Sequence, residues 1–245
     1  MALILREMST RYGATPGGYI WAVLEPLGAI IILSIGFSLL LRAPSLGNSF
    51  LLFYASGYLI MALYMNVSSV VARALNFSKA LLLYPRVTWI DAILSRFLLN
   101  TLTNVMIAYL LLTGVIWAID ARITVEIAPM ALALALAAFL GLGIGTLNCA
   151  LFGLFPAWIN VWGIATRPLF LASGVIYIYE DLPRAAQNVL WWNPILHLTG
   201  LIRSGLYITY RPDHLSLIYV CAVAVVSLTL GLILMRRYYK EILNR

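Results

Sequence analysis

Residues 127–166 read IAPMALALALAAFLGLGIGTLNCALFGLFPAWINVWGIAT, forty positions without a charged side chain. As one α-helix they would measure about 60 Å, twice the ~30 Å hydrocarbon core of a bilayer. The run therefore has to break, and Gly153 followed by Pro156 marks the place. One span is expected near 127–152. A second starts near Trp158 and continues through Arg167-Pro168 to about Tyr179. The rest of the chain has the same character. Of its 245 residues 63% are hydrophobic and only 10% charged, with a mean hydropathy of +0.95. A soluble domain would carry about 25% charged residues. A soluble globular protein, a disordered chain and a nucleic-acid binder are excluded, despite a net charge of +7.

Working outward from this run, charge-free stretches at 49–72, 97–119 and 215–235 each suffice for a span of about 20 residues. A first span is read over 18–41, which brings the expected total to six. The loops support this count. With the N-terminus in the cytoplasm, the inner segments hold Arg6, Arg11, Arg73, Lys79, Arg86, Arg96, Arg236, Arg237, Lys240 and Arg245, ten of the sixteen basic residues. The outer segments hold Arg42, Arg122, Arg184, Arg203 and Arg211, and Arg167 falls within a span. Lys and Arg orient membrane proteins by accumulating on the inside, so both termini are expected in the cytoplasm. The first apolar stretch begins late and lacks a small-residue cleavage site, so no signal peptide is expected.

Chemistry inside the chain is sparse. Neither Lys79 nor Lys240 follows the glycine pattern of a phosphate-binding loop, and no serine-hydrolase or zinc-protease motif occurs. His197 and His214 lie far from any cluster with ligand spacing, so no metal site is expected. Cys149 and Cys221 both fall within spans and read as packing residues. An ion-coupled carrier usually buries acidic residues in mid-span. Here Glu25 is the only acidic residue near the core of a span, and it sits at a cytoplasmic edge. A six-span chain with so little machinery for harvesting energy is expected to draw it from another subunit.

The N-terminal stretch places Leu3, Ile4 and Met8 on a helix face opposite Arg6 and Arg11, as in an amphipathic helix over 1–13 lying on the inner membrane surface. Arg11-Tyr-Gly and the following Gly18-Tyr-Ile-Trp-Ala-Val-Leu-Glu-Pro26 resemble the N-terminal signature of ABC-2 type permeases. Among these they are most similar to the capsular polysaccharide exporters of Gram-negative bacteria. The resemblance continues at Pro168-Leu-Phe-Leu-Ala-Ser-Gly-Val-Ile-Tyr177, Trp192-Asn-Pro-Ile-Leu-His197 and Leu201-Ile-Arg-Ser-Gly-Leu-Tyr207, in the same order and spacing.

The resemblance implies a single all-α membrane domain over 1–245. It would have six transmembrane helices, the N-terminal interface helix, a cytoplasmic coupling helix within 73–96 and re-entrant periplasmic gate helices within 180–214. Two copies of the chain would work with two separate ATPase subunits in the bacterial inner membrane. ATP and Mg would be held by those subunits, and this chain would bind no cofactor. The cargo would be a lipid-linked capsular polysaccharide, passed on to periplasmic co-polymerase-type and outer-membrane export proteins, with no nucleic acid involved. O-antigen or teichoic acid export is the alternative within the superfamily. A membrane enzyme acting on a lipid-linked sugar and a passive channel are the alternatives outside it.

Candidate residues follow from residue type and from the resemblance. Phe77, Lys79, Leu82 and Tyr84 are the candidates for ATPase coupling. Pro183 and Pro194 can each start a short helix, and Trp191, Trp192 and Arg203 are assigned to the periplasmic gate. An arginine within a span costs at least ~2.5 kcal/mol, so Arg167 is the costliest residue of the chain. It is expected either to snorkel or to face the substrate path. Aromatic faces stack on the C–H faces of sugar rings, and phenol hydroxyls bond sugar hydroxyls. The candidate path comprises Arg11, Trp21, Glu25, Tyr54, Tyr58, Arg167, Tyr177 and Tyr179. Gly141-Leu-Gly-Ile-Gly145 is read as a surface for close helix packing.

Overall fold

The break required in the forty-residue run falls between Leu154 and Trp158, at Pro156. The computed structural model describes residues 18–79, 82, 87–120 and 124–244, and these contain helices and no strand. In chain order the helices are α1 (Gly18–Ser38), α2 (Phe50–Ala72), the short α3 (Ala74–Ser78), α4 (Trp89–Ala118), α5 (Ile127–Leu154) and α6 (Trp158–Ala172). A 3-10 turn at Tyr179–Asp181 precedes α7 (Arg184–Leu190), α8 (Pro194–Leu206) and α9 (Leu217–Asn244). Five of them, α1, α2, α4, α5 and α9, are long and apolar enough to cross a membrane. The amphipathic helix expected over 1–13 lies outside the described residues.

Glycine sets the centre of the bundle. A methyl group on Gly141 would stand 3.0 Å from the Val67 side chain, and one on Gly145 would stand 2.8 Å from Val71. These two glycines let α5 lie directly on α2. Gly143, on the opposite side of α5, meets the Ala224 carbonyl of α9. A methyl on Gly231 would stand 2.6 Å from the Leu147 nitrogen, and Gly153 meets Ile242. Residue numbers rise together along both contacts, so α2, α5 and α9 run parallel. Parallel neighbours require the chain to return between them. The first return is α4. The second lies between Leu154 and Leu217.

The second return is not the single helix expected over 158–179. α6 has 15 residues, about 22 Å, and ends at Ala172. Gly174 then takes φ of +73°, a left-handed conformation that glycine adopts without strain. Its Cβ position is closed by Leu196 Cδ1 at 2.6 Å. The segment that follows reaches the level of Gly57, where a methyl would meet Val175 Cα at 2.9 Å. α4 also departs from its expected bounds, starting at Trp89 rather than near 97. Thr88 and Asp91 form a capping box, the Thr88 N–H donating to the Asp91 carboxylate at 2.9 Å and the Asp91 N–H to the Thr88 hydroxyl at 3.3 Å.

α8 fills the core between α2 and α5. Asn193 caps it by accepting from the Ile195 N–H at 3.1 Å, and Pro194 occupies its first turn. Eleven of its thirteen residues are buried, from Ile195 to Leu206. α6, by contrast, leaves every residue at least partly exposed.

Candidate functional site

Helices α1, α2, α4 and α6 border a half-open cavity of about 520 Å³. Each helix contributes polar side chains to it: Glu25 from α1, Tyr58 and Asn66 from α2, Asn104 from α4, and Thr166 and Arg167 from α6. Trp21 and Phe170 supply aromatic surface, and the Phe170 ring lies edge-on to Tyr58 at 6.5 Å. Three of these groups share a level. Glu25 is seven residues into α1, Asn66 is six short of the end of α2, and Arg167 is nine into α6. At 1.5 Å per residue each lies about 9–13 Å from the end of the bundle that carries the 73–88 connection.

The cavity is polar at a depth where the flanking helices are apolar. The Asn66 amide nitrogen donates to Asn104 Oδ1 at 2.9 Å, and the Asn104 amide nitrogen donates to the Asn100 carbonyl at 2.8 Å. The Thr166 hydroxyl is turned back onto the Trp162 carbonyl at 2.9 Å. Among the described residues Glu25 and Arg167 form no ion pair within 4.0 Å, although both line the cavity. A charged group within a span needs an aqueous or polar neighbour. The cavity therefore offers a guanidinium, a carboxylate, two amides and a phenol to a hydrated or hydroxyl-rich occupant.

Four of the eight path candidates, Trp21, Glu25, Tyr58 and Arg167, meet in this cavity. Arg11 lies outside the described residues. Tyr54 is buried away from the cavity, with the rings of Phe37 at 5.2 Å and Phe53 at 5.3 Å. Tyr177 and Tyr179 lie toward the opposite end of the bundle. There Tyr179 stacks on the His214 ring at 4.2 Å, and the Tyr177 carbonyl accepts from Arg203 at 2.8 Å. Arg203 is fully buried, donates also to the Val175 carbonyl at 2.9 Å, and lies over the Phe53 ring at 4.1 Å. Trp191 sits against the rings of Trp192, His197 and Tyr219, whereas Trp192 is 67% exposed.

At the end that carries the 73–88 connection, α3 buries Ala74, Leu75 and Ser78 and presents Phe77, which is 66% exposed. The Arg96 guanidinium of α4 covers one face of the Phe77 ring at 4.7 Å. Lys79 is exposed, and the Leu82 N–H donates to the Ser78 carbonyl at 3.0 Å while its side chain packs on the core. Tyr84 lies outside the described residues.

Residues 1–207 match the ABC-2 type transporter family. The chain belongs to that family. It is 30% identical over 236 residues to the polysialic acid transport protein KpsM of Escherichia coli, covering 96% of this chain and 91% of the relative. It is 26% identical over 243 residues to the capsule polysaccharide export inner-membrane protein BexB of Haemophilus influenzae, covering 98% and 91%. The capsule polysaccharide export inner-membrane protein CtrC of Neisseria meningitidis serogroup B is also 26% identical, with the same coverage. As an ABC-2 type chain this protein is a membrane transport subunit rather than an enzyme.

The ABC-2 chain holds a second polar cluster in the segment between α6 and α9. Glu180 accepts from the Tyr210 hydroxyl at 2.9 Å and bonds His214 Nδ1 at 3.1 Å. His197 is buried. Its Nδ1 accepts from the Ser216 N–H at 3.2 Å, which leaves Nε2 to carry the proton donated to the Trp191 carbonyl at 2.8 Å. Burial holds His197 below the ordinary imidazole range, against the pull of its bond to Trp191. Burial likewise lowers His214, and Glu180 beside it acts in the opposite sense.

Reading the sequence did not single out Asn66, Asn104, Thr166 or Phe170. Asn66 is an amide inside a 23-residue span, and Asn100 and Asn104 stand four apart on α4. Four-residue spacing places the last two on one helix face. That is the available signal, and it does not reveal that both faces turn toward α6.

Proposed function

We propose that this chain is the permease subunit of an ATP-driven exporter that moves lipid-linked capsular polysaccharide outward across the bacterial inner membrane. The observation that carries the reading is the polar ring of Glu25, Asn66, Asn104 and Arg167 around one cavity between the spans. Polar groups gathered at membrane depth mark a path for a polar substrate. The relatives named above for polysialic acid transport and capsule polysaccharide export supply the substrate class.

Two copies form the pore in this proposal, and each chain crosses six times with both termini in the cytoplasm. The fifth crossing is α6 with the extended residues after it, since parallel α5 and α9 require a return. Two ATPase subunits dock at the cytoplasmic end, where Phe77 and Lys79 stand exposed on α3 and just beyond it, with Leu82 and Tyr84 following. Arg96 stacked on Phe77 ties that surface to α4, which lines the cavity. ATP and Mg belong to those subunits. Closure of the ATPase pair shifts α3 and α4 and so changes the cavity. Segment 180–214 forms the periplasmic gate. Trp191 and Trp192 anchor it, and Arg203 fixes the chain next to Tyr177 and Tyr179. The polymer then passes to periplasmic and outer-membrane export proteins.

The test is export in cells producing the polymer, with the ATPase partner co-expressed. Arg167→Ala is expected to lower surface polysaccharide at least tenfold while membrane abundance and co-purification with the ATPase stay at parental levels. Export unchanged by Arg167→Ala rules out this cavity as the path.

A further inference from the structure

The two asparagines in the cavity are not used up by each other. A side-chain amide has two N–H donors and two acceptor lone pairs. Asn66 gives one N–H to Asn104 Oδ1, and Asn104 gives one N–H to the Asn100 carbonyl. Asn66 keeps an N–H and both lone pairs of its carbonyl oxygen, and Asn104 keeps an N–H and one lone pair. Asn66 is exposed although it sits inside a span, and its exposed side faces the cavity. A link serving only to hold α2 against α4 would bury both amides between the helices. Here the bond fixes the plane of the Asn66 amide and leaves its outer edge presented. Donor and acceptor side by side match a sugar hydroxyl, which gives one hydrogen bond and takes another. A guanidinium matches a carboxylate instead, as a paired donor, and Arg167 lines the same cavity.

We infer that the cavity is a two-part carbohydrate site in which the Asn66–Asn104 amide pair reads sugar hydroxyls and Arg167 takes the acidic group of the same chain. The inference rests on the proposal that the cavity is the substrate path and adds its chemical selectivity. Neutral and acidic sugars both engage the amide pair, and only acidic sugars engage Arg167. The amide plane is set before the ligand arrives, because Asn104 is itself held by the Asn100 carbonyl.

The experiment is a binding titration on the full chain with its ATPase partner in lipid nanodiscs, using a sialic acid oligomer as the acidic probe and maltoheptaose as the neutral one. The double variant Asn66→Leu/Asn104→Leu is expected to bind both probes about five- to tenfold more weakly, the effect of losing one or two hydrogen bonds. Arg167→Ala is expected to weaken the acidic probe alone. Asn66→Ala, which crowds nothing at an exposed position, provides the same reading if the double variant does not insert. Parental binding of both probes by the asparagine variants, with the acidic probe still weakened in Arg167→Ala, overturns the inference and leaves the path reading in place. Absence of binding by the parent protein, or acidic binding at parental strength in Arg167→Ala, overturns the path reading itself.

Discussion

Arg203 and Arg167 show how differently one residue type can be used in one chain. Arg203 is buried, its two guanidinium nitrogens bond the Val175 and Tyr177 carbonyls, and its plane covers Phe53. Burial pushes it down to about 10, so it stays charged at neutral pH. It holds the non-helical segment after α6 against α2, where Gly57 leaves room for Val175. Removing it strands two carbonyls, so Arg203→Ala is expected to destabilise the protein by about 3–5 kcal/mol. Arg203→Lys is expected to recover less than half of that, because an ammonium cannot span two acceptors in a plane. Thermal unfolding of the purified variants in detergent checks both. A lysine variant as stable as the parent would show that charge alone is needed. Sequence reading picked out Arg167 because an arginine between apolar runs carries an obvious cost. It assigns Arg203 to the re-entrant periplasmic gate, but nothing local to residues 201–207 says that α8 is buried on nearly every side.

The elements were legible to the extent that hydropathy alone sets their ends. α1, α2 and α5 match the apolar runs closely because a loop or cap follows each run at once. α4 does not, because Thr88 and Asp91 start the helix before the charge-free stretch begins, and helix and hydrocarbon need not end together. α6 does not either, because Gly174 stops it while the residues remain apolar. The segment from 179 to 216 was legible as two proline-started helices, yet its internal bonding was not. That bonding has a pH dependence. His197 must be neutral to accept from the Ser216 N–H, and burial lowers both His197 and His214. The unfolded state takes up protons on these rings more readily than the folded one. The contribution is therefore complete above the ordinary histidine pKa of about 6.5 and falls as pH drops below it. The protection of amides at residues 207–216 from hydrogen exchange, taken relative to the intrinsic rate at each pH, is expected to fall severalfold between pH 7.5 and 5.5. His197→Gln, which keeps a donor and an acceptor without a titrating ring, is expected to flatten most of that change. Equal acid sensitivity in His197→Gln would assign the effect to His214 and Glu180 instead.

For the whole molecule, the question is which surface meets lipid. The exposed side of α9 is apolar, with Ile218, Val225, Val226, Leu230 and Ile233, as a lipid-facing helix requires. α6 is different. Asn160, Ile164, Arg167 and Leu171 lie three or four residues apart on one exposed stripe, so a charge and an amide share a face with apolar residues. Lipid contact along that stripe would cost at least ~2.5 kcal/mol for the arginine alone. α1 is equally under-packed, with Ile30 buried and Glu25 exposed. Both helices line the cavity and neither is covered by the rest of the chain. A second copy meeting the first along α1 and α6 would shield the stripe and turn two half-open cavities into one pore. A cysteine at Ile164, 65% exposed on α6, is then expected to cross-link two chains in the membrane under mild oxidation. A cysteine at Ile233, 63% exposed on α9, is not. Both variants belong in a Cys221→Ser background, since Cys221 is partly exposed and adds a second reactive thiol to each chain. Dimer formation through residue 233 and not through 164 would place the partner on α9 and leave the charged stripe of α6 facing some other protein.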